Sequence, residues 1–208
     1  MGLLTPRTRT ALVALLAAQR LAELRHSARN RARSGDGVPA SPRSFPLMVA
    51  THIALFMTAG WPRRDRRVPA ALQAAALAGV AGAVCLRLCV IRALGESWNV
   101  TAHVSPSTKV ITSGPYRWIR HPNYTAVALE FACLPVAVGA VREAALLSFA
   151  DALVLWPRIR AEEALLDRVP GYREAFAGIP RFVPRPGRRS QNPARLAQSR
   201  GVSLPKPQ

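Results

Sequence analysis

Gly114-Pro115-Tyr116-Arg117-Trp118-Ile119-Arg120-His121-Pro122-Asn123-Tyr124 is a polar, ring-rich stretch set between two apolar runs. Gly114-Pro115 marks a turn. Pro122 suits the first position of a helix, where its missing N–H needs no partner and its φ is already helical. The stretch therefore predicts a loop feeding a helix whose start carries Arg120, His121, Asn123 and Tyr124 as candidate ligands. Free backbone N–H groups and positive potential at such a start suit an anionic group. A second polar knot follows at Arg158-Ile159-Arg160-Ala161-Glu162-Glu163. Two apolar segments lie between the knots, broken near Gly139 to Glu143. A hairpin there returns the chain to the side it left, so both knots face one aqueous surface.

Working outward, half of the 208 residues are hydrophobic while only 6% are aromatic, and the formal charge is +18. Such a balance points to nucleic acid or to an anionic membrane surface. The layout favours the membrane, because basic clusters alternate with apolar runs as juxtamembrane loops do, and no zinc-finger or RNP pattern occurs. The candidate spans are Thr10 to Leu24, Phe45 to Trp61, Val68 to about Leu94, Tyr124 to Val141, and Ala144 to Trp156. The first carries Arg20 and Glu23, which can face a bundle interior or snorkel. Arg25 to Arg43, basic and broken by Gly35, Gly37, Pro39 and Pro42, predicts a loop. Gly79 and Gly82 give the third span a small-residue face for close packing. Met1 to Arg9 and the run after it lack a small-residue cleavage site, so that run is expected to be retained.

The predicted fold is all-α: an integral membrane bundle of about five transmembrane helices over residues 1–184, with a cytoplasmic C-terminal pocket. Residues 185–208 hold six basic residues and no acid, and predict a disordered tail. The basic region after Trp156 places the C-terminus in the cytoplasm. Five spans then put the cluster Arg63 to Arg67 outside, against the same rule. Cys85, Cys89 and Cys133 form no CxxC pair and lack a neighbouring His or carboxylate at ligand spacing, so they are expected as small core hydrophobes, with no metal.

Three acids stand out. Glu130, within a membrane run, costs about 2.5–3.5 kcal/mol on insertion scales and so calls for a cavity or a partner. Glu162 and Glu163 are adjacent and cannot share one helix face. One can pair with Arg158, four residues before Glu162, and the other can point to the organising loop. A lone His is more often structural, but His121 stands within Gly-Pro-Tyr-Arg-x-x-Arg-His-Pro-x-Tyr.

That pattern, followed by an apolar hairpin and Arg-x-x-x-Glu-Glu, resembles the isoprenylcysteine carboxyl methyltransferase family and its relatives, the membrane phospholipid methyltransferases. The resemblance covers roughly Val110 to Pro184. Gln19 to Leu24 and Phe45 to Val49 are similar to a bacterial branch, the alkylpyrone and alkylresorcinol O-methyltransferases. Ala126 stands where many members have Gly two residues after the motif Tyr, which fits that branch better than the prenylcysteine subgroup.

The resemblance implies an integral-membrane enzyme of the bacterial cytoplasmic membrane using S-adenosylmethionine, with a pocket facing the cytoplasm. It carries cofactor binding onto Tyr116, Arg120, His121, Pro122 and Tyr124 on one side and Glu162 and Glu163 on the other. Carboxylates suit ribose hydroxyls, an amino group and a cationic sulfonium. Glu130 or His121 is a candidate base for a hydroxyl acceptor, and Arg117 or Arg158 a candidate to orient an anionic one. The expected partners are membrane lipids and a lipophilic or prenylated acceptor: a prenylcysteine-like carboxylate, an alkylpyrone or alkylresorcinol hydroxyl, or a phospholipid amine. The competing expectation is a non-enzymatic membrane scaffold or transport component.

Overall fold

The computed structural model describes residues 3–34, 38–39, 44–61, 68–101, 103–104 and 108–187. The cluster Arg63 to Arg67 and the tail beyond residue 187 lie outside the described residues. Five long helices make the body: α1 (Pro6–Ser34), α2 (Ser44–Gly60), α3 (Ala70–Leu94), α4 (Pro122–Ala137) and α5 (Val141–Leu166). A single turn, α6 (Tyr172–Ala175), follows. Val38–Pro39 and His103–Val104 form a minimal antiparallel pairing.

Helix α1 is longer than its apolar pattern predicts. The Thr5 hydroxyl accepts from the Thr8 N–H at 3.2 Å and caps its start. The basic stretch after Leu24, expected as a loop, continues the helix to Ser34. The reason lies in its buried face, where Leu16, Glu23, Ser27 and Asn30 recur at helical spacing. The last two are polar but fully engaged by the chain after α3. The Asn30 amide donates to the Trp98 carbonyl at 2.8 Å and to the Gly95 carbonyl at 3.2 Å. The Ser27 hydroxyl bonds Asn99 and accepts from the Val100 N–H, both at 3.0 Å. Arg25, Arg29, Arg31 and Arg33 occupy the exposed side.

Helix α3 buries Gln73, Ala76, Val80, Ala83, Arg87 and Val90, a stripe at alternating steps of three and four. It lies along α4, and Gly79 sets how closely: a Cβ there would stand 2.4 Å from Cys133 Sγ. Gly82, expected on the same small-residue face, meets nothing within 4 Å. The cysteines also depart from expectation: Cys85 and Cys89 are exposed on the outer face of α3, and only Cys133 is partly buried. Gln73 ties this end of the bundle, donating to the Ala137 carbonyl at 2.7 Å and accepting from the Leu3 N–H at 2.6 Å.

Helices α4 and α5 form the expected hairpin, turning through Gly139 at φ +88°. The core between the helices holds Leu55, Val80, Val127, Phe131, Leu134 and Leu155. Ala70–Ser97 is, among the described residues, the helical stretch long and apolar enough to cross a membrane, and α2 is a shorter apolar helix. Large apolar side chains are nevertheless exposed on all five helices, among them Leu15, Ile53, Leu88, Leu129 and Phe149.

Candidate functional site

The organising loop closes as a 3₁₀ turn over Gly114–Arg117, with Gly114 at φ +57°. Pro122 is the first residue of α4, as its ring geometry predicts. The approach to α4 is fixed from outside by the chain beyond α6. The Arg120 N–H donates to the Pro180 carbonyl and the His121 N–H to the Arg181 carbonyl, each at 2.9 Å. The Thr125 hydroxyl donates to the Phe182 carbonyl at 3.2 Å. Residues 180–182 thus form a strap across the start of α4.

Glu163 is the electrostatic centre beneath that strap. Arg181 grips it at both oxygens, Nε to Oε1 at 2.8 Å and Nη2 to Oε2 at 2.7 Å. His121 Nε2 lies 3.0 Å from Oε1, and Arg120 Nη1 lies 3.6 Å from the same oxygen. The Arg181 hydrogen bond, aided by His121, holds the Glu163 carboxyl down to about 2. It is a saturated anion that fixes the buried imidazole. His121 packs against the rings of Tyr124 and Phe182, with centroids 5.6 and 6.0 Å away.

Glu162 points elsewhere. Its Oε2 accepts from the Tyr124 hydroxyl at 2.5 Å. That hydroxyl in turn accepts from Arg158 Nε at 3.0 Å. The expected pair of Arg158 with a glutamate is therefore relayed through a phenol. Arg158 is almost wholly buried, 1% exposed. Its other nitrogens reach Ser44 Oγ of α2 at 3.2 Å and the Val100 carbonyl at 2.5 Å.

These groups line a cavity of about 140 Å³, with Tyr116, Arg120, His121, Tyr124, Arg158 and Glu162 on its polar side. Leu166, Val169, Tyr172 and Phe176 make an apolar side. Burial pushes the Tyr116 and Tyr172 phenols up, so both stay neutral. Arg120 Nε and Asn123 Oδ1 are buried at this cavity without a hydrogen-bond partner among the described residues.

A second cavity, of about 350 Å³, opens deeper in the bundle. Its walls are largely apolar, with Leu21, Leu24, Met48, Ile53, Phe56 and Leu155, but include Arg20, Glu23, His52 and Arg87. Trp98, Val100, Asn123, Tyr124 and Arg158 line both cavities and so form a common wall.

Of the residues singled out in the sequence, Tyr116, Arg120, His121, Tyr124, Arg158 and Glu162 are brought together. Four are not among the lining. Glu163 stands behind His121, and Pro122 is a buried helix start. Arg117, expected to orient an acceptor, is exposed on the 3₁₀ turn and lines neither cavity. Glu130, expected as a candidate base, lies six residues beyond Tyr124, about 9 Å along α4. It pairs with Arg20 of α1 and lines neither cavity. Arg181 was not singled out. Its one sequence signal is a lone arginine in the proline-flanked run Pro180-Arg181-Phe182-Val183-Pro184.

Residues 75–168 match the model of the isoprenylcysteine carboxyl methyltransferase (ICMT) family. The match contains the organising loop, the hairpin and both glutamates, and ends before α6 and the strap. It bears out the resemblance carried by Gly114–Tyr124 and Arg158–Glu163, and extends it back into α3. The chain is also similar to the uncharacterized protein YpbQ of Bacillus subtilis (strain 168), 28% identical over 158 residues, which is 74% of this chain and 94% of that one. A further relative is the nickel-cobalt-cadmium resistance protein NccN of Alcaligenes xylosoxydans xylosoxydans. There the identity is 32% over 123 residues, 58% of this chain and 54% of NccN. No solved structure matches. Among the described residues no three His, Cys, Asp or Glu side chains are grouped to hold a metal ion.

Proposed function

We propose that this chain is a membrane-embedded S-adenosylmethionine-dependent methyltransferase that methylates an oxygen of a lipophilic acceptor. The observation that carries the reading is the common wall: a polar cavity and an apolar one meet at Trp98, Asn123, Tyr124 and Arg158. Two reactants of opposite solubility can thereby be held against each other, and bringing them into register is the larger part of catalysis by positioning.

The residues present fit the cofactor. Glu162 offers negative charge to a cationic sulfonium, an amino group or ribose hydroxyls. Arg120 Nε, buried without a partner, offers a donor to a carboxylate. Val169, Tyr172 and Phe176 offer apolar and aromatic surface to a purine. When bound, S-adenosylmethionine supplies an activated methyl group. The chain's own residues do the rest. Glu163 and Arg181 fix His121, and Arg158 holds the Tyr124 hydroxyl against Glu162 so that the common wall keeps its shape. An acceptor carboxylate needs no base. For a hydroxyl acceptor, His121 lines the polar cavity and is the candidate to receive the proton.

The same reading has all five long helices crossing the bilayer, with apolar side chains facing lipid on each. The end bearing the polar cavity also carries Arg25, Arg29, Arg31, Arg33, Arg160 and Arg168, all exposed, so the positive-inside rule puts it in the cytoplasm. A second reading is a non-enzymatic membrane component, since NccN is named for nickel, cobalt and cadmium resistance and not for methyl transfer. Calorimetry with S-adenosylmethionine separates the two. Binding by the parent, lost in Glu162→Ala and His121→Ala, together with labelled methyl transfer to long-chain carboxylate or phenol amphiphiles, supports the enzyme. Absence of both binding and transfer overturns it.

A further inference from the structure

Beyond the common wall that Trp98 shares, the apolar cavity has a polar corner whose arginines have no task in methyl transfer as described. Arg20 of α1 and Arg87 of α3 both donate to a single carboxylate oxygen, Glu23 Oε2, at 2.8 and 2.7 Å. Arg20 also pairs with Glu130 of α4. The Arg87 guanidinium stands 5.8 Å from the Trp98 ring centroid. After these bonds are made, Arg20 Nε, Arg87 Nη1 and Trp98 Nε1 remain buried without a partner among the described residues. All three residues line the apolar cavity. The unpartnered oxygen on the same lining is Asn123 Oδ1, on the common wall.

A purely structural ion-pair network accounts for the bonds to Glu23 and Glu130. Glu130 Oε1, buried and unpartnered on the carboxylate paired with Arg20, stands against one of the spare donors, but the network leaves the Arg87 and Trp98 N–H groups, from two separate segments, unanswered at one cavity. Buried donors left unpaired are costly, and more so when charged. An occupant of this cavity that brings oxygen lone pairs to the corner removes that cost, whereas a plain hydrocarbon or a head with one oxygen does not.

We propose that the Arg20–Arg87–Trp98 corner is a second recognition subsite, which takes an acceptor oxygen other than the one methylated. The acceptor is then an amphiphile whose head carries at least two oxygen functions. One is presented to the Asn123–Tyr124–Arg158 wall, the other to the corner. This rests on the apolar cavity being the acceptor's compartment, and the subsite selects among lipids that the apolar walls alone would admit equally.

The test uses the full-length protein in lipid nanodiscs and two probes differing by one ring hydroxyl: a long-chain meta-alkylphenol and the alkylresorcinol with the same chain. Binding is measured by calorimetry without any methyl donor. The resorcinol should bind roughly tenfold tighter, the worth of one hydrogen bond to a charged group. Arg87→Lys keeps a cation beside Glu23 but loses the spare donor, and Trp98→Phe keeps the ring but loses its N–H. In the double variant the preference for the resorcinol over the phenol should fall toward unity. If Arg87→Lys does not fold, Trp98→Phe alone should reduce the preference several-fold. Equal binding of the two probes by the parent, binding of neither, or a preference that survives in folded variants overturns the subsite. A resorcinol preference that vanishes in the variants, in a protein that methylates neither probe, supports the subsite and counts against the enzymatic reading instead.

Discussion

Glu163 shows how a single side chain turns local geometry into a measurable pH effect. Its carboxyl is lowered from the ordinary 4.5 to about 2 by Arg181 and His121. A depressed folded-state value stabilises the fold above the unfolded value, and that contribution is lost as pH falls through the folded value. The unfolding midpoint in detergent should therefore drop between about pH 4.5 and about pH 2 in the parent. Glu163→Gln should be less stable at neutral pH and show a flatter profile over that interval. Gly79 gives a steric counterpart. Gly79→Ala drives a methyl into Cys133 and should cost about 1–3 kcal/mol, as overpacking does, while Gly82→Ala, facing open space, should cost nothing measurable. Chemical denaturation of the two variants side by side checks the difference. At this scale the polar cavity was largely legible, because Tyr116, Arg120, His121 and Tyr124 fall in one short run and Glu162 on a helix led by Arg158. Arg181 was not, since its carboxylate partner lies eighteen positions away and nothing in an isolated arginine announces it. Arg117 misled for the opposite reason: it sits inside the motif run, yet the 3₁₀ turn aims its neighbours inward and leaves it outside.

Elements were legible where apolar spacing governs them and illegible where polar contacts do. The ends of α2 and α3 and the turn of the α4–α5 hairpin follow from their apolar runs, whereas α5 continues to Leu166, ten residues past its run. The last ten residues of α1 do not, because Ser27 and Asn30 are held by backbone and side-chain groups some seventy positions on, and no local pattern encodes such partners. The strap is the same kind of feature. Arg181→Ala should leave helix content unchanged but loosen the start of α4. Hydrogen exchange should then quicken at the Arg120 and His121 amides, whose acceptors are strap carbonyls, and on the proposed reading cofactor affinity should fall several-fold, with partial recovery in Arg181→Lys. The polar cavity, at about 140 Å³, is smaller than the few hundred Å³ usual for small-molecule sites. On the proposed reading, binding of S-adenosylmethionine should accordingly displace Tyr172 and Phe176, read as altered exchange across α6 on addition of the cofactor.

For the molecule as a whole, the sequence expectation of an all-α chain whose two polar knots converge is met. Cys85 and Cys89 face outward on α3, the helix best suited to cross a bilayer. In nanodiscs they should react with a membrane-permeant maleimide and resist an impermeant one. A cysteine placed at Arg29 should react with the impermeant reagent from the side that bears the polar cavity. Reaction of Cys85 and Cys89 with the impermeant reagent in intact membranes would remove α3, and with it the bundle, from the bilayer.

The strap also bears on how the protein is made. Residues 180–182 are synthesised after α1 to α5, yet they supply the acceptors for Arg120 and His121 and, through Arg181, the counter-ion of Glu163. On the proposed reading, a nascent chain can therefore pass these helices to the insertion machinery while the polar cavity is still unlatched. On that reading, a chain truncated just before Pro180 should be membrane-integrated and helical but unable to retain S-adenosylmethionine.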